Sequence, residues 1–421
     1  MITLDESLLD KNLKAGAIDE FITARRELIA GVLAGQYGMG DALGWFSVAE
    51  NAGAAVLDNI SDLAAKVREE AGVFVLAGVG GSNRAAQSVI EGLGYNLAEK
   101  PRIVYMGNTL SARAMQDALD SLEGKSIYAN IIAKNFATLE PGIAFRLIRT
   151  QMRKVYGDSF AGRITVTGSF GGGQLAETAE ERGFNFLEFP AAAGGRFSAF
   201  TAVGLFPMAV MGADIRRFVA GAAACEKRLK ADPSGGIAAR YAVIRYLLRR
   251  KGFTVENLAY FEPRLRMLGH WWLQLHGETE GKNGDAVLPV LTCFSEDLHA
   301  IGQYIQEGGR FLFASFLNFF DKTGMAVPPS GFDDGFSFLD GRSCDSLNPA
   351  VSKAAAEAYY QAGIPVLRFN AGGIDEETLG EFMYLQMMSA YFSAALLGVE
   401  PFDQNGVEQY KRNLQAELRG V

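Results

Sequence analysis

Histidine is scarce in this chain of 421 residues: there are three, and all of them, His270, His276 and His299, fall in the stretch from Gly269 to Arg310. The same stretch holds the Trp271-Trp272 step and two glutamates, Glu278 and Glu280, in the string "GETEGK". A carboxylate and an imidazole brought together form an acid/base pair, the equipment for taking a proton from one atom and delivering it to another. Each residue alone has a plainer reading. A glutamate in a Gly-rich turn is ordinarily a solvated turn residue, and a lone helix histidine is more often satisfied by its neighbours than catalytic. The crowding of every histidine into one segment is what argues for chemistry.

The elements that would position this pair can be read around it. The opening of the stretch has apolar residues at helical spacing, followed by a turn rich in Gly, Glu, Lys, Asn and Asp. The apolar run "AVLPVLTCF" then reads as a buried strand. Ser295 is a reasonable N-cap for the next helix, with Glu296 and Asp297 in the first turn where the helix dipole favours negative charge. His299 is thus expected within about a turn of a helix start, and Glu278 and Glu280 in an acidic turn at another helix's end.

Residues 1 to about 70 read as helices and connections. From Val73 short apolar runs alternate with helical spans: "VFVLAG", "RIVYMG", "IYANIIA", "RITVTGS" and "FNFLEF", then "NLAYF", "AVLPVLTCF", "RFLFASFL" and "IPVLRFNA". Strands alternating with helices argue for parallel sheets covered on both faces, hence an α/β fold of two doubly wound units with helical N-terminal and C-terminal extensions. The expected divisions are a helical segment 1–45, a first α/β domain 46–205, a helical connection 206–234, a second α/β domain 235–395 and a helical tail 396–421. The stretch "VPPSGFDDGFSFLDGRSCDSLNP" has the composition of a long surface loop.

Composition narrows the function classes. Half the residues are apolar and the net charge is −8, which argues against a nucleic-acid surface. The three cysteines, Cys225, Cys293 and Cys344, have neither disulfide nor metal spacing and suit a reducing compartment. With no signal peptide and no unbroken apolar span, a cytoplasmic protein without membrane segments is expected.

Two further motifs follow strands, where such sheets bind ligands. In "GVGGSNR", Gly78, Gly80 and Gly81 let backbone amides and the Ser82 hydroxyl approach a phosphate closely. Asn83 stands where a dinucleotide fingerprint has its third glycine, and no acidic residue ends the next strand, so a sugar phosphate or mononucleotide fits better. "AKNFAT" supplies Lys134, Asn135 and Thr138, and "AAAGGRFSAF" sets Arg196 at the start of an apolar helix, where a buried cation needs a partner.

These strings, "GVGGS", "GGRFSAFTAVGL", "GETEGK", "DLHAIGQYIQEG" and "PFDQNGVEQYK", resemble the signatures of the bacterial phosphoglucose isomerase family in order and spacing, over most of the chain from about Val73. The resemblance implies paired sugar-isomerase-type domains. The activity it implies is aldose-ketose isomerisation of glucose 6-phosphate and fructose 6-phosphate through an enediol(ate), in glycolysis and gluconeogenesis. By position in the motifs, Glu278 is the implied base, ranked above Glu280, which is left as a turn carboxylate. His299 and Lys411 are implied in ring opening and Arg196 at the enediolate oxygen. Gly81, Ser82, Lys134, Asn135, Thr138 and Gln404 are implied in holding the sugar phosphate. Where the family's phosphate loop carries hydroxyls, this chain has Ala133 and Asn135, so phosphate affinity is where the two part. No cofactor and no metal are implied, and a homodimer is, with His299 reaching the neighbouring subunit's site. Two other readings stand beside this one: a relaxed isomerase that also takes mannose 6-phosphate, and a non-catalytic sugar-phosphate-binding regulator.

Overall fold

The structure is a computed structural model and describes residues 1–98, 100–134, 138–170 and 174–420. Its strands are β1 (Thr3–Leu8), β2 (Val73–Ala77), β3 (Arg102–Met106), β4 (Ile127–Ile132), β5 (Ile164–Gly168), β6 (Asn185–Glu188), β7 (Val255–Tyr260), β8 (Leu288–Cys293), β9 (Leu312–Phe319) and β10 (Val366–Ala371). They form two sheets, ordered β3-β2-β4-β5-β6 and β1-β10-β9-β7-β8. The first is parallel throughout. Every residue of β2, β4 and β5 is buried, as expected of central parallel strands with helices on both faces. In each sheet the chain lays down one strand and then returns to build outward on the other side: β3 and β4 flank β2, and β8 and β9 flank β7. Each sheet thus has a topological switch point, where loops leaving adjacent strands part and open a crevice.

Two sequence expectations need correcting. The N-terminal segment is not helices alone: β1 adds to the second sheet as an antiparallel edge strand, pairing Thr3 with Asn370. Its alternation "TLDESL" is too polar to signal a strand, and only its partner identifies it. "AVLPVLTCF" does not make a strand buried on both faces. β8 lies at the sheet edge, with Leu288 exposed and only Pro289 and Thr292 buried, in keeping with Pro289, which lacks an N–H for a second neighbour.

The helices used below are α1 (Ala54–Glu70), α2 (Gly81–Gly92), α3 (Leu139–Tyr156), α4 (Ala202–Met211), α5 (Ile215–Ala231), α6 (Gly236–Arg250), α7 (Arg266–Glu280), α8 (Leu347–Gln361), α9 (Glu376–Leu397) and α10 (Glu408–Arg419). α9 is apolar almost all round, because it is buried nearly along its whole length. It crosses α5 at a contact made by glycines: a Cβ on Gly380 would stand 1.9 Å from the Phe218 carbonyl oxygen, and one on Gly221 would stand 2.1 Å from that of Glu377. The polar α10 buries no residue. Residues 327–346 are largely exposed loop, as their composition suggests. Among the described residues no helix is long and apolar enough to cross a membrane.

Backbone-to-backbone contact leaves no flexible side chain to yield. Gly380→Ala is therefore predicted to lower stability by about 1–3 kcal/mol, read as an earlier midpoint in urea unfolding. A midpoint equal to the parent's would show that α5 and α9 can part freely.

Candidate active site

The first sheet's switch point lies between β2 and β4, whose following loops are Gly78–Gly80 and the segment opening at Ala133. Gly80 takes φ +58° to turn the chain into α2, and a side chain there would press on the Gln274 amide at 3.0 Å. Gly81 is tighter still. A Cβ on it would lie 2.1 Å from the Gly195 carbonyl carbon and 2.6 Å from the Arg196 nitrogen. The start of α2 is thus seated directly on the short 3-10 turn Gly195–Phe197. The Ser198 hydroxyl donates to the Gly195 carbonyl at 2.7 Å, and Trp45 stacks on Phe197 with ring centres 4.6 Å apart.

This packing holds Arg196, which is 2 % exposed. Its Nε donates to the Thr279 hydroxyl at 2.9 Å and one terminal nitrogen donates to Glu278 Oε2 at 3.3 Å. The other terminal nitrogen donates to the Pro401 carbonyl. Burial pulls the guanidinium below its ordinary value, with Glu278 and then Asp403 opposing, and an arginine remains a cation throughout. Glu278, 36 % exposed, is therefore a carboxylate fixed against a permanent charge with one side open. The Gln404 amide donates to Oε2 at 2.6 Å and the Gln274 amide to Oε1 at 3.0 Å. A carboxylate oriented on both oxygens, beside a cation and next to a Gly-rich helix start, can take and return a proton while negative charge on a neighbouring oxygen is tolerated.

The structure brings Glu278, Arg196, Gln404 and Gly81 together. Ser82 is half-buried in the first turn of α2. Lys134 is half-buried and donates to the Ala191 carbonyl at 2.6 Å, on the loop that leads to Arg196. Thr138 is exposed ahead of α3, and Asn135 lies outside the described residues. His299 and Lys411 stand apart. Among the described residues neither hydrogen-bonds or ion-pairs with Glu278 or Arg196; Lys411 pairs instead with Glu408 at 2.6 Å on the exposed α10. His299 is exposed at the end of a four-residue 3-10 turn, Glu296–His299. The expected Ser295 cap is not made, and the next α-helical residues begin only at Gly302.

The acidic turn is a further correction. α7 continues through Glu280, so both glutamates are helical. Glu280 is no solvated turn carboxylate: it is 1 % exposed and accepts from Arg245 at 2.8 Å, with His276 Nδ1 at 2.6 Å. Arg245 also pairs with Glu256, which accepts from Tyr241 and Ser315. Burial lowers the His276 imidazole below its ordinary value, and Arg245 adds to this. The histidines that crowd one stretch of sequence thus part in space, His276 to the core and His299 to the surface.

Three residues that sequence reading missed complete the site. Gln274 stands four residues before Glu278, one turn away on the same helix face; this spacing was legible only once α7 was known to reach Glu278. Thr279 is fully buried against Arg196. Lys282 bonds the Glu400 carbonyl and pairs with Asp403 at 2.7 Å, so the end of "GETEGK" clasps the segment that carries Pro401 and Gln404.

Residues 61–320 match the family model described as Phosphoglucose isomerase. A "Glucose-6-phosphate isomerase" of Staphylococcus epidermidis is 36% identical over 385 residues, covering 90% of this chain and 87% of that protein. One from Streptococcus thermophilus is 38% identical over 391 residues, covering 90% and 87%. Among solved structures, a hypothetical protein from Thermus thermophilus superposes with a TM-score of 0.90 at 24% identity, over 99% of this chain and 100% of that one. A glucose-6-phosphate isomerase from Chlamydia trachomatis gives 0.81 at 16%, over 100% and 88%. These two likenesses show a shared fold.

Burial raises the Glu280 carboxyl, but Arg245 and then His276 outweigh it and bring it down to about 2 from 4.5. A carboxyl depressed in the folded state contributes stability that is fully present above its unfolded value and lost as pH falls from there. Glu280 is accordingly predicted to drive acid unfolding between about pH 4.5 and 2. Glu280→Gln should cost about 3–5 kcal/mol at neutral pH and flatten the pH dependence in that window. Urea titrations from pH 7 to 3 measure both, and parallel curves would remove Glu280 as the acid-sensitive group.

Proposed function

The chain belongs to the phosphoglucose isomerase family, and on that premise we propose how its own residues carry the reaction. It is an aldose-ketose isomerase that interconverts glucose 6-phosphate and fructose 6-phosphate, a step used in both directions of hexose metabolism. The observation that carries the assignment of roles is the clamp on Glu278, a half-open carboxylate held by Arg196, Gln404 and Gln274.

In the proposed sequence the ring opens first, His299 polarising the ring oxygen and its hydroxyl with Lys411 assisting. Glu278 then takes the proton from the carbon beside the carbonyl. The electron pair left behind forms the enediolate, whose charge falls on oxygen. Within the enediolate the hydroxyl proton passes from the second oxygen to the first, Glu278 returns its own proton to the neighbouring carbon, and the carbonyl has moved by one atom. Arg196 orients Glu278 by donating to its Oε2 at 3.3 Å. Of its five N–H donors, three are engaged, which leaves two for the enediolate oxygen. The phosphate is held by the start of α2 at Gly81 and Ser82, by Lys134 and Thr138, and by Asn135. The compartment proposed is the cytoplasm.

The exposure of His299, which makes no bond to its own chain's Glu278 among the described residues, supports a homodimer in which the histidine of one subunit completes the other's site. A binding protein has no need of a carboxylate clamped in this way, which favours catalysis over a sensor role.

Two outcomes are expected. Glu278→Gln keeps the fold by circular dichroism but loses about two to four orders of magnitude in kcat for fructose 6-phosphate; turnover near the parent rate would remove Glu278 as the base. Inactive Glu278→Gln and His299→Ala chains, unfolded and refolded together, regain activity because one site of each mixed dimer holds both intact residues. Absence of rescue in a mixture shown to contain mixed dimers would refute the shared site.

A further inference from the structure

Arg84 is a half-buried cation in α2 that pairs with no carboxylate among the described residues. One terminal nitrogen donates to the main-chain carbonyl of His270 at 3.2 Å. His270, Gln274 and Glu278 recur every four residues on α7, so this carbonyl heads the stripe that ends in the candidate base. Arg84 is also the fourth residue of α2, and helical side chains lean back toward the N-terminus. Its position lies within one turn of the end of the helix where Gly81 meets the Arg196 turn. Burial lowers Arg84 from its ordinary value, and Glu278 is the charge that opposes this.

Lys134 is a second such cation. It bonds a main-chain carbonyl, pairs with no carboxylate among the described residues, and is lowered by burial. Glu278 is already matched by Arg196, so Arg84 against α7 and Lys134 on the loop that leads to Arg196 are cations with no carboxylate partner among the described residues. Partly buried cations without counter-ions are costly, and a dianion entering the cleft removes that cost. Beside them the side-chain carbonyl oxygen of Gln274 is buried without a hydrogen-bond partner, an acceptor suited to a sugar hydroxyl. Ala133, at the opening of the facing loop, offers the anion no side-chain donor.

We propose that Arg84 is a substrate-binding residue that grips the phosphate of the sugar phosphate, with Lys134 and the α2 amides, and sets the preference for phosphorylated over neutral sugars. The proposal rests on the isomerase reading above and adds to it the side chain that supplies charge where Ala133 supplies none. Arg84 touches the phosphate rather than the reacting carbons, so its loss weakens binding of substrate and transition state alike.

The test compares the full-length protein with Arg84→Ala and Arg84→Lys, using fructose 6-phosphate as substrate and inorganic phosphate as competitive inhibitor. Arg84→Ala should raise KM by about tenfold or more, with kcat changed far less, and weaken inhibition by phosphate in parallel. Arg84→Lys, which keeps the charge without the forked donor geometry, should recover part of both. If the alanine variant does not fold, the lysine variant alone must show the two shifts together. Unchanged KM and phosphate inhibition, or a loss confined to kcat, would overturn the proposal. Should the parent protein not turn over fructose 6-phosphate, the isomerase reading fails by itself. Phosphorus-31 line broadening of inorganic phosphate then decides for Arg84: weaker binding in the alanine variant supports it and equal binding overturns it.

Discussion

A single buried guanidinium ties the site together. Arg196 reaches from a turn after the first sheet to Thr279 and Glu278 on α7 and to the Pro401 carbonyl ahead of α10. Three segments separated by dozens of residues meet on one permanent charge. Removed from water, that charge is tolerable because three of its N–H groups donate to oxygens the fold brings there. The aromatic contacts around it, Trp45 on Phe197 and Phe197 on Phe402, exclude solvent from its far side.

Close approach of backbones is the second requirement. Gly81 against Gly195 lets the start of α2 and the arginine turn share one small volume. With a side chain at Gly81 the turn would be displaced, and Arg196 would lose its aim on Glu278. Gly380 and Gly221 do the same for α5 and α9, the helices that fill the middle of the molecule. The glycines thus set the distance between elements, and the charged residues then bind across it.

Glu278 and Glu280 show how one helix turn gives two carboxylates opposite environments. Residues two apart on a helix point to different sides. Glu278 faces the cleft and stays partly in water, whereas Glu280 is sealed among Arg245, His276 and, through the arginine, Glu256. The buried set joins α6, α7, β7 and β9, so the end of α7 is anchored from below while its upper face works.

Much of this was legible in the chain itself. Alternating apolar runs from Val73 specified parallel α/β units because central strands buried on both faces need unbroken apolar sequence, and the motif around Glu278 marked the candidate base. The sequence also marked Gly81 and Arg196 as residues with steric and electrostatic demands. It did not reveal that β1 completes the second sheet, because an edge strand with one wet face needs little apolar sequence. Nor did it reveal that Glu280 is core, since a carboxylate's burial depends on whether a cation thirty-odd positions away folds onto it. Arg84 and Gln274 carried no signal until helix phase was fixed by packing. Which elements are built is a local property of the residues; which charges meet is decided only when distant elements pack, because an ion pair has no sequence spacing of its own.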